Sequence, residues 1–134
     1  DQDGVEGITN PSHNLSNMPA EVMEAQHPVR VERYELVADS CGAGHWRGGV
    51  GIMRSYRLLA DEALLQLRSD RVKFAPYGLA GGDPGGLSRN TLTVGDRTEP
   101  LPGKVTMELP KGALVTHVQA GAGGYGDPFT RDPA

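Results

Sequence analysis

Six residues near the C-terminal end, Gly121-Ala122-Gly123-Gly124-Tyr125-Gly126, have types and spacing that could do chemistry. Gly121, Gly123 and Gly126 fit G-x-G-x-x-G, a pattern in which bare backbone comes close to a pyrophosphate. That chemistry also needs a helix after the glycines and an acidic residue about 20 positions on. Here Asp127-Pro128 follows at once and the sequence stops at Ala134. A dinucleotide site is therefore not expected. The expectation is a tight glycine turn packed against other backbone, with Gly121, Gly123, Gly124, Tyr125, Gly126 and Asp127 in structural or interface roles. A second glycine-rich stretch, residues 39–51, surrounds His45, Trp46 and Arg47. It lacks G-K-[ST], so it is no Walker A loop. It reads as a wide connection between strands with Trp46 as its packing anchor, and Trp46 and Arg47 as candidate contacts to a partner.

Other reactive types are scattered. No histidine pair has a zinc spacing, and Cys41 has no second cysteine. His13, with Asp1 or Asp3 as companions, is the candidate metal ligand. His117 sits in a strand-like run and reads as a surface or satisfied histidine. Cys41 has only His45 as a marked basic neighbour in sequence, no serine lies in a G-x-S-x-G elbow, and Asp61-Glu62 looks like a turn. We assign no catalytic or cofactor-binding residue.

The elements that must position these residues are short. Residues 1–18 read as an irregular docking segment that something must hold if it is ordered. Residues 19–27 form a short helix, opened by Pro19 and stopped before Pro28. Two turns cannot stand alone in water, so the helix must dock. Residues 28–120 form a β-rich body. In residues 29–38 Val29 and Val31 share a face with Arg33 and Glu35, a slip in alternation that predicts a bulge or contacts on both faces. Residues 50–60 alternate with Val50, Ile52, Tyr56 and Leu58 on one side. Asp61-Glu62 then turns into Ala63, Leu65 and Leu67, which predicts an antiparallel hairpin. A further glycine-proline loop covers residues 74–88. Short strands follow at 91–94, 105–109 and 114–118, with residues 95–96 and 100–103 as turns. Residues 121–134 are the glycine-rich C-terminal segment. The expected fold is one mainly β domain over residues 1–134. It has five or six short antiparallel strands, one short N-terminal helix, and three glycine-rich loops that could gather on a rim of a sheet.

Composition makes the core thin. The 134 residues hold two Phe, four Tyr and one Trp, against 19 Gly and 10 Pro, where average shares are about 7% and 5%. We expect a chain that completes the fold of a larger partner subunit. A net charge of −4 with no Lys/Arg cluster argues against nucleic acid. No run approaches the roughly 18 apolar residues of a membrane span, and no signal peptide is visible. The sequence lacks an initiating Met, so residues upstream are expected to have been removed. With a single cysteine, a reducing, cytoplasmic setting is expected.

Several motifs in order are more specific than any one. They are Asn17-Met18-Pro19-Ala20-Glu21, Pro28-Val29-Arg30-Val31-Glu32-Arg33-Tyr34-Glu35-Leu36, and the run from Asp39 through Cys41, Gly42, His45, Trp46 and Arg47 to Gly51. Arg68-Ser69-Asp70-Arg71, Lys104-Val105-Thr106 and Gly123-Gly124-Tyr125-Gly126-Asp127-Pro128 complete the series. Together they resemble the C-terminal portion of the hydantoinase B/oxoprolinase family, over nearly the whole chain. The resemblance implies ATP-dependent chemistry in a complex with larger hydantoinase A-like and hydantoinase B-like subunits. There a carbonyl, amide or bicarbonate oxygen is phosphorylated before ring opening or carboxylation. It places ATP and a divalent cation in the partner subunits and none in this chain. Many relatives carry His-x-His where this chain has Asn10-Pro11-Ser12-His13, and Cys41 stands where glycine is common. As a separate short chain it is most similar to the gamma subunit of the acetophenone carboxylases. The first expectation is thus a non-catalytic subunit of an ATP-dependent carboxylase that makes benzoylacetate from acetophenone and bicarbonate. A subunit of a hydantoinase or 5-oxoprolinase type amidohydrolase is the alternative, and an independent binding module the rival of another class.

Overall fold

Short strands that alternate apolar and polar residues need two layers to bury their apolar faces. The computed structural model, which describes residues 2–7 and 16–132, shows them. In chain order the elements are α1 (Ala20–Gln26), β1 (Val29–Leu36), β2 (Ile52–Leu58), β3 (Glu62–Arg68) and β4 (Arg89–Val94). After them come β5 (Arg97–Leu101), β6 (Lys104–Pro110), β7 (Leu114–Val118) and a 3-10 turn at Pro128–Thr130. Five strands pair in the order β1-β2-β7-β4-β5, and β3 pairs with β6 in a second sheet. Every pairing is antiparallel. The fold is mainly β with one short helix among the described residues, as the sequence implies.

Three details of the sequence reading hold. The register of β1 against β2 shifts between Val31 and Arg33, the bulge that the slipped alternation predicts. Helix α1 starts after Pro19 and ends at His27, whose N–H bonds to the Met23 carbonyl at 2.9 Å. The helix buries no residue fully and leans on β1, and its Ala20 and Met23 line a small cavity with Val31 and Tyr34 of β1 and Tyr56 of β2.

Three details are corrected. The expected hairpin of residues 50–60 with 63–68 does not form. Both edges of β2 are taken, by β1 and β7, so Asp61-Glu62 carries the chain across to the other sheet. There Ala63, Leu65 and Leu67 stand opposite Leu109, Met107 and Val105. β2 is also not a strand with one covered face. Leu58 is buried on the expected side, but Ser55 is buried on the other, with its Oγ 2.9 Å from Thr116 Oγ1. Finally, residues 97–101 form β5 rather than part of a connection. Proline cannot donate to a ladder, and Pro100 is tolerated because β5 is the edge strand.

The core lies between the sheets. Leu58, Leu92, Leu101, Ala113 and Val115 join Leu109, and Ala63, Leu65, Leu67, Val105 and Met107 pack against them half-buried. Full burial of a Leu or Val contributes roughly 1.5–3 kcal/mol, so a core of this size is small for the chain. Large apolar side chains stay outside: Phe129 is 95% exposed, Phe74 79% and Tyr77 71%.

Candidate functional site

The three glycine-rich loops meet beside the sheets and pack backbone against backbone. Trp46 and Tyr125 exchange both N–H···O bonds, at 3.0 and 2.9 Å. Gly42 N–H donates to the Ala122 carbonyl at 2.8 Å, and Asp83 N–H to Ala43 at 2.7 Å. Gly124 N–H donates to Asp83, while Leu79 N–H donates to Gly124, both at 2.9 Å. Glycine is required by proximity at two clear positions. A Cβ on Gly121 would overlap the Ser40 carbonyl, and one on Gly124 would overlap the Ala43 carbonyl. This arrangement leaves little for a phosphate. The N–H groups of Ala122, Gly124, Tyr125 and Gly126 already donate to Gly49, Asp83, Trp46 and Leu79. Gly123 lies against the Tyr77 carbonyl.

The other residues singled out in sequence surround this knot. The half-buried Trp46 meets the His45 ring edge-on, with centroids 4.7 Å apart. His45 Nδ1 lies 2.9 Å from Thr130 Oγ1. Asp127 accepts from Phe129 N–H at 2.9 Å and so starts the terminal turn. Tyr125 remains 56% exposed. Cys41 is a free, half-buried cysteine of the Trp46 loop.

Arg47 ties down the N-terminal segment. Its Nη1 bonds Glu6 Oε1 at 2.5 Å, and its backbone N–H donates to Asp3 Oδ1 at 3.0 Å. Glu6 also accepts from Val50 N–H at 2.6 Å. Arg131 grips Asp3 with both Nη atoms, each at 2.7 Å. Hydrogen bonding from Arg131, then from Arg47 N–H, outweighs partial desolvation and lowers the Asp3 carboxyl to about 2. Bonding from Arg47 likewise lowers Glu6. The groups that hold residues 3–6 therefore belong to this chain. His13 and its companion Asp1 lie outside the described residues. Among the described residues no group of three or more His, Cys, Asp or Glu could hold a metal ion. No helix there is long and apolar enough to cross a membrane.

Sequence reasoning missed a groove of about 510 Å3 between the end of β3 and the segment after β7. Arg68, Asp70 and Arg71 line one side, His117, Gln119 and Gly121 the other. The signal was the Arg68-Ser69-Asp70-Arg71 run, read only as a family motif. In the sheet, Arg54, His117 and Asn90 stand in one row across β2, β7 and β4. His117 Nδ1 lies 2.7 Å from Asn90 Oδ1, which makes it the satisfied histidine of the sequence reading. Burial, and then the nearby Arg54 charge, lower its pKa below the usual histidine value.

A two-layer antiparallel fold with an interlocked glycine knot is thus the class of structure present. The comparisons with known proteins give its family. The family model described as Hydantoinase B/oxoprolinase matches residues 1–128, so the chain belongs to the hydantoinase B/oxoprolinase family. A Pseudomonas protein assigned as the B-type component of a D-/L-hydantoinase is 33% identical over 98% of this chain and 23% of its own length. The crystal structure of an ATP-dependent caprolactamase from Pseudomonas jessenii matches 86% of this chain and 21% of its own, at 28% identity and a TM-score of 0.75. Nucleotide-free acetone carboxylase shares the fold over 98% of this chain and 22% of its own, with a TM-score of 0.75 at 20% identity. The chain spans between 8% and 23% of the length of the curated relatives compared with it.

Proposed function

We propose that these residues are a structural, non-catalytic part of an ATP-dependent enzyme complex that opens cyclic amides. They complete the fold of its hydantoinase B-like component, beside a hydantoinase A-like one. The observation that carries this reading is the match along residues 1–128, with relatives at 28–33% identity that are a hydantoinase component and a caprolactamase. The glycine knot supports the structural role, because its residues are occupied with one another. The thin core and the exposed Phe74, Tyr77 and Phe129 support a large neighbour. On this reading ATP and a divalent cation bind in the partner components, and the complex is cytoplasmic.

The carboxylase reading, a small subunit acting on acetophenone and bicarbonate, is the second proposal. It rests on the resemblance to the gamma subunit of the acetophenone carboxylases. The fold shared with acetone carboxylase, at 20% identity, adds nothing about substrate. The experiment is to purify the chain with its co-expressed larger components and follow ADP release. Release that depends on caprolactam or a hydantoin is expected. Release that needs acetophenone and bicarbonate instead would move the assignment to the second reading. A folded monomer with no large partner would overturn both in favour of an independent binding module.

A further inference from the structure

The Arg68–Arg71 groove holds charges that the rest of the chain does not use. Arg33, Arg47, Arg57, Arg97 and Arg131 form ion pairs with carboxylates of this chain, while Arg30, Arg54 and Arg89 stand singly among the described residues. Arg68 and Arg71 form none among the described residues, although Asp70 stands between them. The backbone beneath them is fixed. Ser69 N–H donates to the Gly103 carbonyl at 2.6 Å, and the Arg71 carbonyl accepts from Ser88 N–H at 3.0 Å. Arg71 itself is held at φ +59°, a left-handed conformation that a long side chain rarely takes. Such strain persists only where the surroundings over-determine it, and it clusters at ligand clamps. On the facing wall His117 Nδ1–H donates to Asn90 Oδ1, and Nε2 has no hydrogen-bond partner among the described residues. Behind it Asn90 is 3% exposed, with an Nδ2 that meets no acceptor among the described residues.

We propose that this groove binds a small molecule carrying a carboxylate or phosphate next to an N–H or O–H donor. The guanidinium forks of Arg68 and Arg71 match the paired oxygens of such an anion. Asp70 and His117 Nε2 accept from the adjacent donor. The volume of about 510 Å3 lies in the range of small-molecule sites. The inference does not depend on which reaction the complex performs. Loss of amide-dependent ATP turnover would therefore leave it intact.

The test is calorimetric titration of the assembled complex, with any nucleotide site filled by a non-hydrolysable ATP analogue. Inorganic phosphate and glycolate are the probes, and whichever binds identifies the oxyanion. The double variant R68Q/R71Q is expected to weaken that binding by about tenfold or more, as loss of a charge-assisted pair implies. If it does not assemble, Arg71→Lys is read instead, which keeps the charge but loses the fork, and a smaller loss is expected. Binding of neither probe, or equal affinity in wild type and variant, would overturn the proposal. So would a destabilised variant in a complex that binds no anion, since the arginines would then meet a carboxylate of a neighbouring component.

Discussion

The sandwich and the glycine knot are held together in opposite ways. In the sandwich, Leu58, Leu92, Val115 and Leu109 fill the space between two sheets with side chains. In the knot, residues 40–51, 77–86 and 119–126 remove side chains so that backbones can touch and share N–H···O bonds. The first is stabilised by apolar area leaving water, and it tolerates swaps that conserve volume. The second is stabilised by satisfied backbone at a close approach that any Cβ disrupts. One region is therefore sensitive to what is removed, and the other to what is added.

That contrast can be broken at four places. Gly121→Ala adds one methyl group against the Ser40 carbonyl and Cys41 N, which are backbone and cannot rotate away. A loss of more than about 4 kcal/mol is expected, read by urea unfolding of the assembled protein, in the class of exceptional destabilisations. A cost under about 1 kcal/mol would show that the loops are loosely packed. In the sandwich the reverse change, Leu92→Ala, should cost about 3 kcal/mol through lost transfer energy and a residual cavity. Gly95→Ala sharpens the comparison. Gly95 has φ +58° but nothing within 4 Å of an added Cβ, so only backbone strain applies, about 1 kcal/mol. If Gly95→Ala cost as much as Gly121→Ala, crowding would not be what distinguishes the knot.

The fourth place is the clamp that ties residues 3–6 to the knot, where the smallest effect is expected. The Asp3 carboxyl is depressed from 3.8 to about 2, first by its bonds from Arg131. A depressed acid stabilises the fold above its unfolded pKa and loses that contribution as pH falls through the folded one. Melting temperature should therefore decline between pH 3.8 and about 2 more steeply in the wild type than in Asp3→Asn. Parallel curves would show that the clamp contributes nothing to stability.

Much of the sandwich was legible in sequence because alternation is a local signal. Ala63, Leu65 and Leu67, and Val105, Met107 and Leu109, announced their buried faces, and the slip at Val31 and Arg33 announced the bulge. Their partners were not legible. The Asp61-Glu62 turn suggested a hairpin, yet β2 pairs with β1 and β7 and β3 pairs with β6. Strand β5 was hidden because Arg97-Thr98-Glu99-Pro100-Leu101 has a single large apolar residue, and its order comes from pairing with β4. At the candidate site the glycines were visible and the groove was not, since Arg71 and His117 lie far apart along the chain.

The sequence by itself determined where backbone must run bare, because glycine at such density is costly unless something approaches closely. It also determined which strand faces turn inward and which family the motifs resemble. Only the tertiary structure decided that the approaching backbone comes from the other two glycine loops. It alone brought Arg131 onto Asp3 across nearly the whole chain and set the Arg68–Arg71 run opposite His117. Alternation and turn chemistry act over a few residues. Pairing depends on which edges and surfaces remain free once every other segment is in place.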